Sequence, residues 1–498
     1  MRIVILGAGP TGLSAAWRLQ EHGHHDWMLL ESSERPGGLS MSVRDDAGFT
    51  WDLGGHVIFS HWKYFDRLLV QALGDQWVEH QREAWVWMRE RWIPYPLQNN
   101  IWRLPPDELV KCLAGLVEAH RAPNGEPPRT FADWLMRYFG SGLCETFMYP
   151  YNLKVWAYPP SALGVGWMGE RVAPVDLARI LANLVHRKDD VSWGPNATFR
   201  FPLRGGTGAI WTSIASQLPF ERISLGTRVA RIDTSARRVL CEDGSSLPYD
   251  RLISTIPLDQ LLRSLTDCPE LAHFAPQFVH SSSHIVGIGF TGKPPAALTS
   301  KCWMYFPEED TPFYRVTLFS NYSPFNVASP GRQWSLMAEV SESVFKPVNI
   351  ATMVDDVIAG FRKVGFIDES TPIVTRFHRR LEHGYPTPWR GRDAVLDIVL
   401  PALEEKGILS RGRFGAWKYE VSNQDHSCLQ GVEAVDHLLI QSKEQTVNGT
   451  MGVEPEAITR ERSRFSANGK RSVVPAHKNG WTGPVLTRLQ PDEVRVEN

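Results

Sequence analysis

The chain has 498 residues, enough for about three domains at ~150 residues each. Its 53 basic side chains nearly balance 55 acidic ones, so no strong field drives general binding to nucleic acid or an anionic membrane. The six cysteines are scattered without a Cys-x-x-Cys spacing, which argues against a disulfide framework and a zinc site, and no apolar run approaches the ~18 residues of a membrane span. A soluble, cytoplasmic protein without a bound metal is the expectation.

Residues 5–12 read Ile-Leu-Gly7-Ala-Gly9-Pro-Thr-Gly12: a short apolar strand runs into a glycine-rich turn, and a helix is predicted over 13–20. A second apolar stretch, Trp27-Met-Leu-Leu30, ends at Glu31. Strand, tight turn, helix, strand and an acidic residue at a spacing of ~20 form the dinucleotide fingerprint in its expected context. Gly7 makes the turn, Gly9 lets the backbone approach a pyrophosphate, and Gly12 permits close packing of helix on strand. The helix N-terminus offers N–H groups to phosphates, and Glu31 can accept from ribose hydroxyls. Glu31-Ser32-Ser-Glu-Arg35-Pro-Gly37-Gly38-Leu39 then adds a second glycine turn. Alone it reads as an ordinary Pro-Gly turn; beside the fingerprint it favours FAD over NAD.

Further along, residues 83–92 alternate like a β-hairpin. From 105 to about 188 the apolar spacing is helical, as at Leu109, Cys112, Leu113 and Leu116. Gly205-Gly-Thr-Gly opens another helix, and residues 228–257 read as a β-meander and a final strand. Residues 278–345 are rich in β-formers and predict an antiparallel sheet. The expected architecture is α/β: an FAD-binding Rossmann-type (GR2-like) domain with an inserted helical domain and an antiparallel β-sheet domain. Its parts interleave as 1–75, 191–275 and 376–441 for the FAD domain, 76–104 and 276–375 for the sheet domain, and 105–190 for the helical domain. Residues 442–498, with little periodicity, predict a loosely ordered tail.

Several segments are too unusual to be turns or core alone. They include Gly54-Gly55-His56-Val-Ile-Phe59-Ser-His61, Pro94-Tyr95-Pro-Leu97-Gln98, Tyr151-Asn152-Leu-Lys-Val-Trp156, Gly169-Glu-Arg171 and Trp193-Gly-Pro-Asn196. Later come Cys302-Trp-Met-Tyr305, Phe313-Tyr-Arg315, Ser320-Asn-Tyr322, His383-Gly-Tyr385-Pro, Gly412-Arg413-Phe-Gly-Ala-Trp-Lys-Tyr419 and Asn423-Gln424-Asp-His-Ser427. At these residues the chain resembles the UDP-galactopyranose mutases, specifically their eukaryotic-type (fungal-like) branch, over roughly residues 3–441.

The resemblance implies an isomerase that interconverts UDP-galactopyranose and UDP-galactofuranose with no net redox change. Reduced FAD would attack the anomeric carbon and form a covalent adduct with the sugar, a case of nucleophilic catalysis by a cofactor. It implies catalytic roles for His56, Arg171 and Arg315, the two arginines clamping the diphosphate in bidentate fashion. Cofactor-binding positions would be Gly7, Gly9, Gly12, Glu31, Ser32, Gly37, Gly38, Leu39, Gly54, Gly55, Val229, Arg413, Asn423, Gln424 and Ser427. Substrate-binding positions would be Phe59, Tyr95, Gln98, Asn152, Trp156, Asn196, Tyr305, Tyr322, Tyr385 and Tyr419. For any one of these aromatics the bland alternative is core packing. The loop holding Arg171, with Gly164, Gly166 and Gly169 before it and Pro174 after it, is the expected lid.

The partner implied is a UDP-sugar, with neither nucleic acid nor membrane; NADPH or NADH stands as the reductant, and homo-oligomer formation stays open. Leu97 replaces an aromatic of the fungal members, the loop 323–334 is shorter than theirs, and nothing matches beyond 441. A mutase for another NDP-hexose, an FAD-dependent oxidoreductase of the amine-oxidase or desaturase type, and a non-catalytic FAD-binding paralogue are the alternatives.

Overall fold

The computed structural model describes residues 1–122, 125–168, 171–173, 175–191, 198–449 and 455. Its organising element is a five-stranded sheet, all parallel. Ile3–Leu6 lies at the centre, Trp27–Leu30 and Ile223–Ser224 extend one side, and Arg251–Ser254 and Ile408–Ser410 extend the other. Every residue of Ile3–Leu6 is buried, as a strand covered on both faces must be. The chain leaves the central strand to one side and returns on the other, so a crevice opens at the strands' carboxyl ends, where open α/β sheets bind ligands. Helix Pro10–Glu21 packs there against helix Gln424–Ile440. Gly431 sets their approach: a Cβ on it would stand 2.1 Å from the Thr11 carbonyl oxygen. The meander Val229–Asp233, Arg238–Cys241, Ser246–Pro248 is antiparallel, as the alternation predicts.

A seven-stranded sheet forms the second layer, in the order Ile373–Pro386, His280–Thr291, Gln333–Glu342, Arg315–Leu318, Trp303–Tyr305, Ala84–Met88, Arg91–Pro94. Two expectations change here. The sheet is mixed rather than antiparallel, because Trp303–Tyr305 runs parallel to Ala84–Met88. The strand Ile373–Pro386 pairs along its length with His280–Thr291, so the FAD domain does not resume at 376. It resumes after that strand, with helix Arg392–Glu405 leading into Ile408–Ser410.

The helical part comprises Pro106–Arg121, Phe131–Leu143, Tyr149–Trp156 and Leu177–His186. Thr130 and Asp133 form a capping box that starts the second of these. The tail departs from expectation in its first eight residues. Glu444 is buried against Arg411, and Thr446–Asn448 makes a tight turn. Beyond 449 the expected tail lies outside the described residues, Pro455 excepted. Among the described residues, no helix is long and apolar enough to cross a membrane.

Candidate active site

A cleft of about 840 Å³ runs from the first glycine turn to the seven-stranded sheet. At one end the two glycine turns meet. A Cβ on Gly38 would stand 3.1 Å from Gly9 Cα, and one on Gly12 would fall 1.9 Å from the Gly7 carbonyl oxygen. Glu31 joins the turns, accepting from Ala8 N at 2.7 Å and Ser33 N at 2.8 Å, while Gly37 N donates to Ala8 O at 2.8 Å. Helices Pro10–Glu21 and Gln424–Ile440 both begin at the cleft, and among the described residues neither N-cap residue bonds its helix through a side chain, although Asp425 Oδ1 accepts from His426 N at 2.9 Å. Bare glycine backbone, an acidic acceptor and two open helix N-termini make a cradle suited to the pyrophosphate and ribose of a dinucleotide.

In the middle, the Gly54–Gly55–His56 loop forms the floor. His56 Nδ1 lies 3.3 Å from Thr207 Oγ1 and 4.0 Å from Asp52 Oδ2. Burial takes its pKa down to about 4 against the pull of Glu339, and the charges of Arg413 and Arg315 lower it further. Asp52 beneath it is wholly enclosed. Burial lifts its carboxyl to about 7, although Ser42 Oγ donates at 2.5 Å and Thr207 Oγ1 at 3.0 Å.

Glu339 is the hub of the opposite wall. Its oxygens accept from Arg315 Nε and Nη2, both at 2.6 Å, from Gly55 N at 2.9 Å and from Tyr314 OH at 2.8 Å. Burial works to raise its pKa, but the Arg315 charge and these hydrogen bonds hold it below the ordinary glutamate value.

Besides Arg82, whose guanidinium lies over the Tyr95 and Trp303 rings, two further guanidinium groups line the cleft. Arg171 donates to Asn423 Oδ1 at 2.8 Å, Glu420 O at 2.9 Å and Tyr419 O at 3.2 Å, and lies over the Tyr419 ring. Arg413 donates to Ser422 Oγ at 2.9 Å and Gly384 O at 3.2 Å, beside Tyr385 and Tyr419. Burial lowers its pKa. Neither arginine has a carboxylate partner among the described residues, whereas buried cations ordinarily have one. The cleft is therefore built for anions.

Of the expected site residues, the structure gathers twenty around this cleft: Gly7, Gly9, Glu31, Ser32, Gly38, Leu39, Gly54, Gly55, His56, Phe59, Tyr95, Arg171, Tyr305, Arg315, Tyr385, Arg413, Tyr419, Asn423, Gln424 and Ser427. Others stand behind it. Gln98 is buried and donates to Ala173 O at 3.1 Å, bracing the Arg171 segment. Asn152 donates within its own helix to Met148 O, and Trp156 packs against Trp167, Tyr385 and Tyr419. Tyr322 is in the core with Phe199, Phe201 and Phe319. Val229 opens the meander, and Gly12 and Gly37 serve the turns. Asn196 lies outside the described residues, as do Gly169 and Pro174 of the expected lid. Gly164 is tied by its N–H to Pro388 O at 2.8 Å, so that end of the segment is anchored rather than hinge-like. Sequence reasoning missed Glu339, Asp52 and Thr207. The only local signals were an acid beside the Gly54–Gly55 pair and a threonine inside the Gly205-Gly-Thr turn.

Parallel sheet, meander and glycine cradle together define a flavin-binding protein. The model of the flavin containing amine oxidoreductases matches residues 10–324. The crystal structure of a reduced UDP-galactopyranose mutase is similar over 91% of this chain and 98% of that one, with a TM-score of 0.88 and 49% identity. A putative protoporphyrinogen oxidase from Exiguobacterium sp. 255-15 shares the fold at 18% identity, with a TM-score of 0.67 over 89% of this chain and 99% of that one. Among curated proteins, a zeta-carotene-forming phytoene desaturase from Myxococcus xanthus is 46% identical over 57 residues, 11% of either chain. The matches to this and two further desaturases cover only 11–14% of those curated relatives. The chain belongs to the flavin containing amine oxidoreductase family and, on identity over nearly its whole length, to the UDP-galactopyranose mutases.

Proposed function

We propose that this protein interconverts UDP-galactopyranose and UDP-galactofuranose, using FAD in its reduced form, and that it belongs to the eukaryotic-type branch of these mutases. The observation that carries the reading is the pair Arg171 and Arg413, two cations without carboxylate partners among the described residues, facing a cleft whose other end is a dinucleotide cradle. A second diphosphate beside the flavin is the ligand such a cleft suits. When bound, reduced FAD supplies the nucleophile for the anomeric carbon.

The chain's own residues bind, orient and exclude water. Arg171 exchanges its carbonyl and Asn423 partners for the diphosphate. Arg315, held by Glu339 through Nε and Nη2, presents Nη1 to the departing UDP. Glu339 also fixes the Gly55 N–H, so one carboxylate sets both the flavin loop and the clamp. Neutral His56 completes the floor. Tyr95 and Tyr305, whose rings lie 4.9 Å apart and tilted by 40°, receive the uracil, with Gln98 bracing from behind; Phe59, Tyr385 and Tyr419 surround the sugar. Asn152, Trp156 and Tyr322 support this wall from the core.

NADPH or NADH entering the same cleft is the proposed reductant. The test is anaerobic incubation of the dithionite-reduced protein with each UDP-galactose, read by chromatography. Conversion without stoichiometric loss of reductant is the expected result. An oxidoreductase, the class named by the family model, would instead oxidise one equivalent per turnover. Conversion of another NDP-hexose alone would keep the chemistry and change the substrate.

A further inference from the structure

Residues 444–449 are fastened to the protein by contacts that the proposed chemistry does not use. Arg411 grips Glu444, Nε to Oε1 at 2.6 Å. Glu433, on helix Gln424–Ile440, accepts from Gln445 N at 3.0 Å, Thr446 N at 2.9 Å and Thr446 Oγ1 at 2.8 Å. Lys418 Nζ donates to Val447 O at 3.0 Å. These bonds carry Asn448 and Gly449 to the edge of the cleft, where both are exposed and line it. They arrive beside the 418–423 segment, against which Arg171 docks.

The side-chain chemistry of Asn448 is set by the one hydrogen bond its carboxamide makes among the described residues. Its Nδ2 uses one of its two N–H groups to donate to Glu444 O at 2.9 Å, which orients the carboxamide and leaves Oδ1 as its acceptor on offer beside one N–H. An acceptor is repelled by phosphate oxygens and is satisfied by a hydroxyl donor. We propose that Asn448 is a further substrate-contacting residue, whose carboxamide oxygen accepts a hydrogen bond from a ribose or hexose hydroxyl of the nucleotide sugar, with residues 444–447 as the strap that holds it there. This inference rests on the UDP-sugar reading above.

The test titrates the FAD-loaded protein with UDP and with UDP-galactopyranose, and measures KM and kcat. Asn448→Ala is expected to weaken UDP-galactopyranose about three- to tenfold, the effect of one lost hydrogen bond. KM rises in step, with kcat and FAD content unchanged. Equal weakening of UDP assigns the hydroxyl to the ribose, and unchanged UDP affinity assigns it to the hexose. Glu433→Gln, which loosens the strap without touching the cleft, shifts affinity in the same direction. Unchanged affinity in Asn448→Ala, or loss of FAD in place of nucleotide affinity, overturns the assignment alone. A wild-type protein that binds neither nucleotide overturns the UDP-sugar reading, and this inference with it.

Discussion

Arg315 and Glu339 sit directly opposite each other on neighbouring antiparallel strands and are joined by two hydrogen bonds of 2.6 Å. Glu339 is buried and Arg315 keeps only 15% of its side chain exposed, so the pair is worth little against an apolar replacement, yet costly to break from one side. Glu339→Ala is expected to lower stability by about 3–5 kcal/mol, because it leaves a buried guanidinium without its counter-charge. The folded carboxyl titrates below its unfolded value, so this stability is present above the ordinary glutamate range and is lost as pH falls through the folded pKa. Chemical denaturation of wild type and variant at neutral and acid pH checks both statements. A variant as stable as the wild type at neutral pH would remove Glu339 from its central position.

The two fingerprint glycines are expected to fail differently. A Cβ on Gly9 meets nothing closer than 3.9 Å, so the protein itself has room for a side chain there. Gly9→Val should therefore fold but purify colourless, because the branch fills space needed by the pyrophosphate. Gly12→Ala should be destabilised with or without FAD, since its Cβ would collide with the Gly7 carbonyl. Flavin absorbance together with circular dichroism separates the outcomes. A yellow Gly9→Val protein would mean that the pyrophosphate does not pass this turn.

Arg171→Ala and Arg315→Ala should each keep FAD and lose turnover by about 10²–10³, some 2.7–4 kcal/mol of transition-state stabilisation. Lysine should restore only part, as a point charge lacks the bidentate grip. Steady-state rates of the reduced variants provide the measurement, and near-normal turnover in both would return them to structural roles.

His56 makes acid sensitivity a property of the flavin loop. Its folded pKa is about 4 against an ordinary 6.5, so the unfolded chain takes up the proton first. Stability from this site is complete above about pH 6.5 and drains away as pH falls toward about 4. His56→Gln should flatten the pH dependence of the unfolding midpoint across that window. If the variant proves as acid-sensitive as the wild type, the neutral, buried character of His56 is wrong.

The local part of the architecture was legible because its signals are short-range. Turn, helix and acidic residue lie within about thirty positions, and the meander and hairpin announce themselves by alternation. What depends on register was not. Glu339 lies within a strand that reads as ordinary apolar alternation, and only its pairing with Arg315–Leu318 turns it toward the cleft. Residues 376–386 join the sheet layer rather than the FAD domain because their strand's partner lies some ninety residues upstream. Motif aromatics carry no sign of the wall they face: Tyr385 and Tyr419 meet the cleft, while Tyr322 joins Phe319 in the core.

The central strand Ile3–Leu6 has residues 27–30 on one side but 251–254 on the other, whose own outer neighbour is 408–410, and one helix packed at its carboxyl end comes from 424–440. On the ribosome, the first glycine turn must therefore wait for roughly four hundred further residues, on the order of 20–80 s at the usual 5–20 residues per second. During that interval the face of helix Pro10–Glu21 that meets helix Gln424–Ile440 lacks its partner. The cofactor pocket is therefore completed late in synthesis, when helix Gln424–Ile440 becomes available to pack on helix Pro10–Glu21.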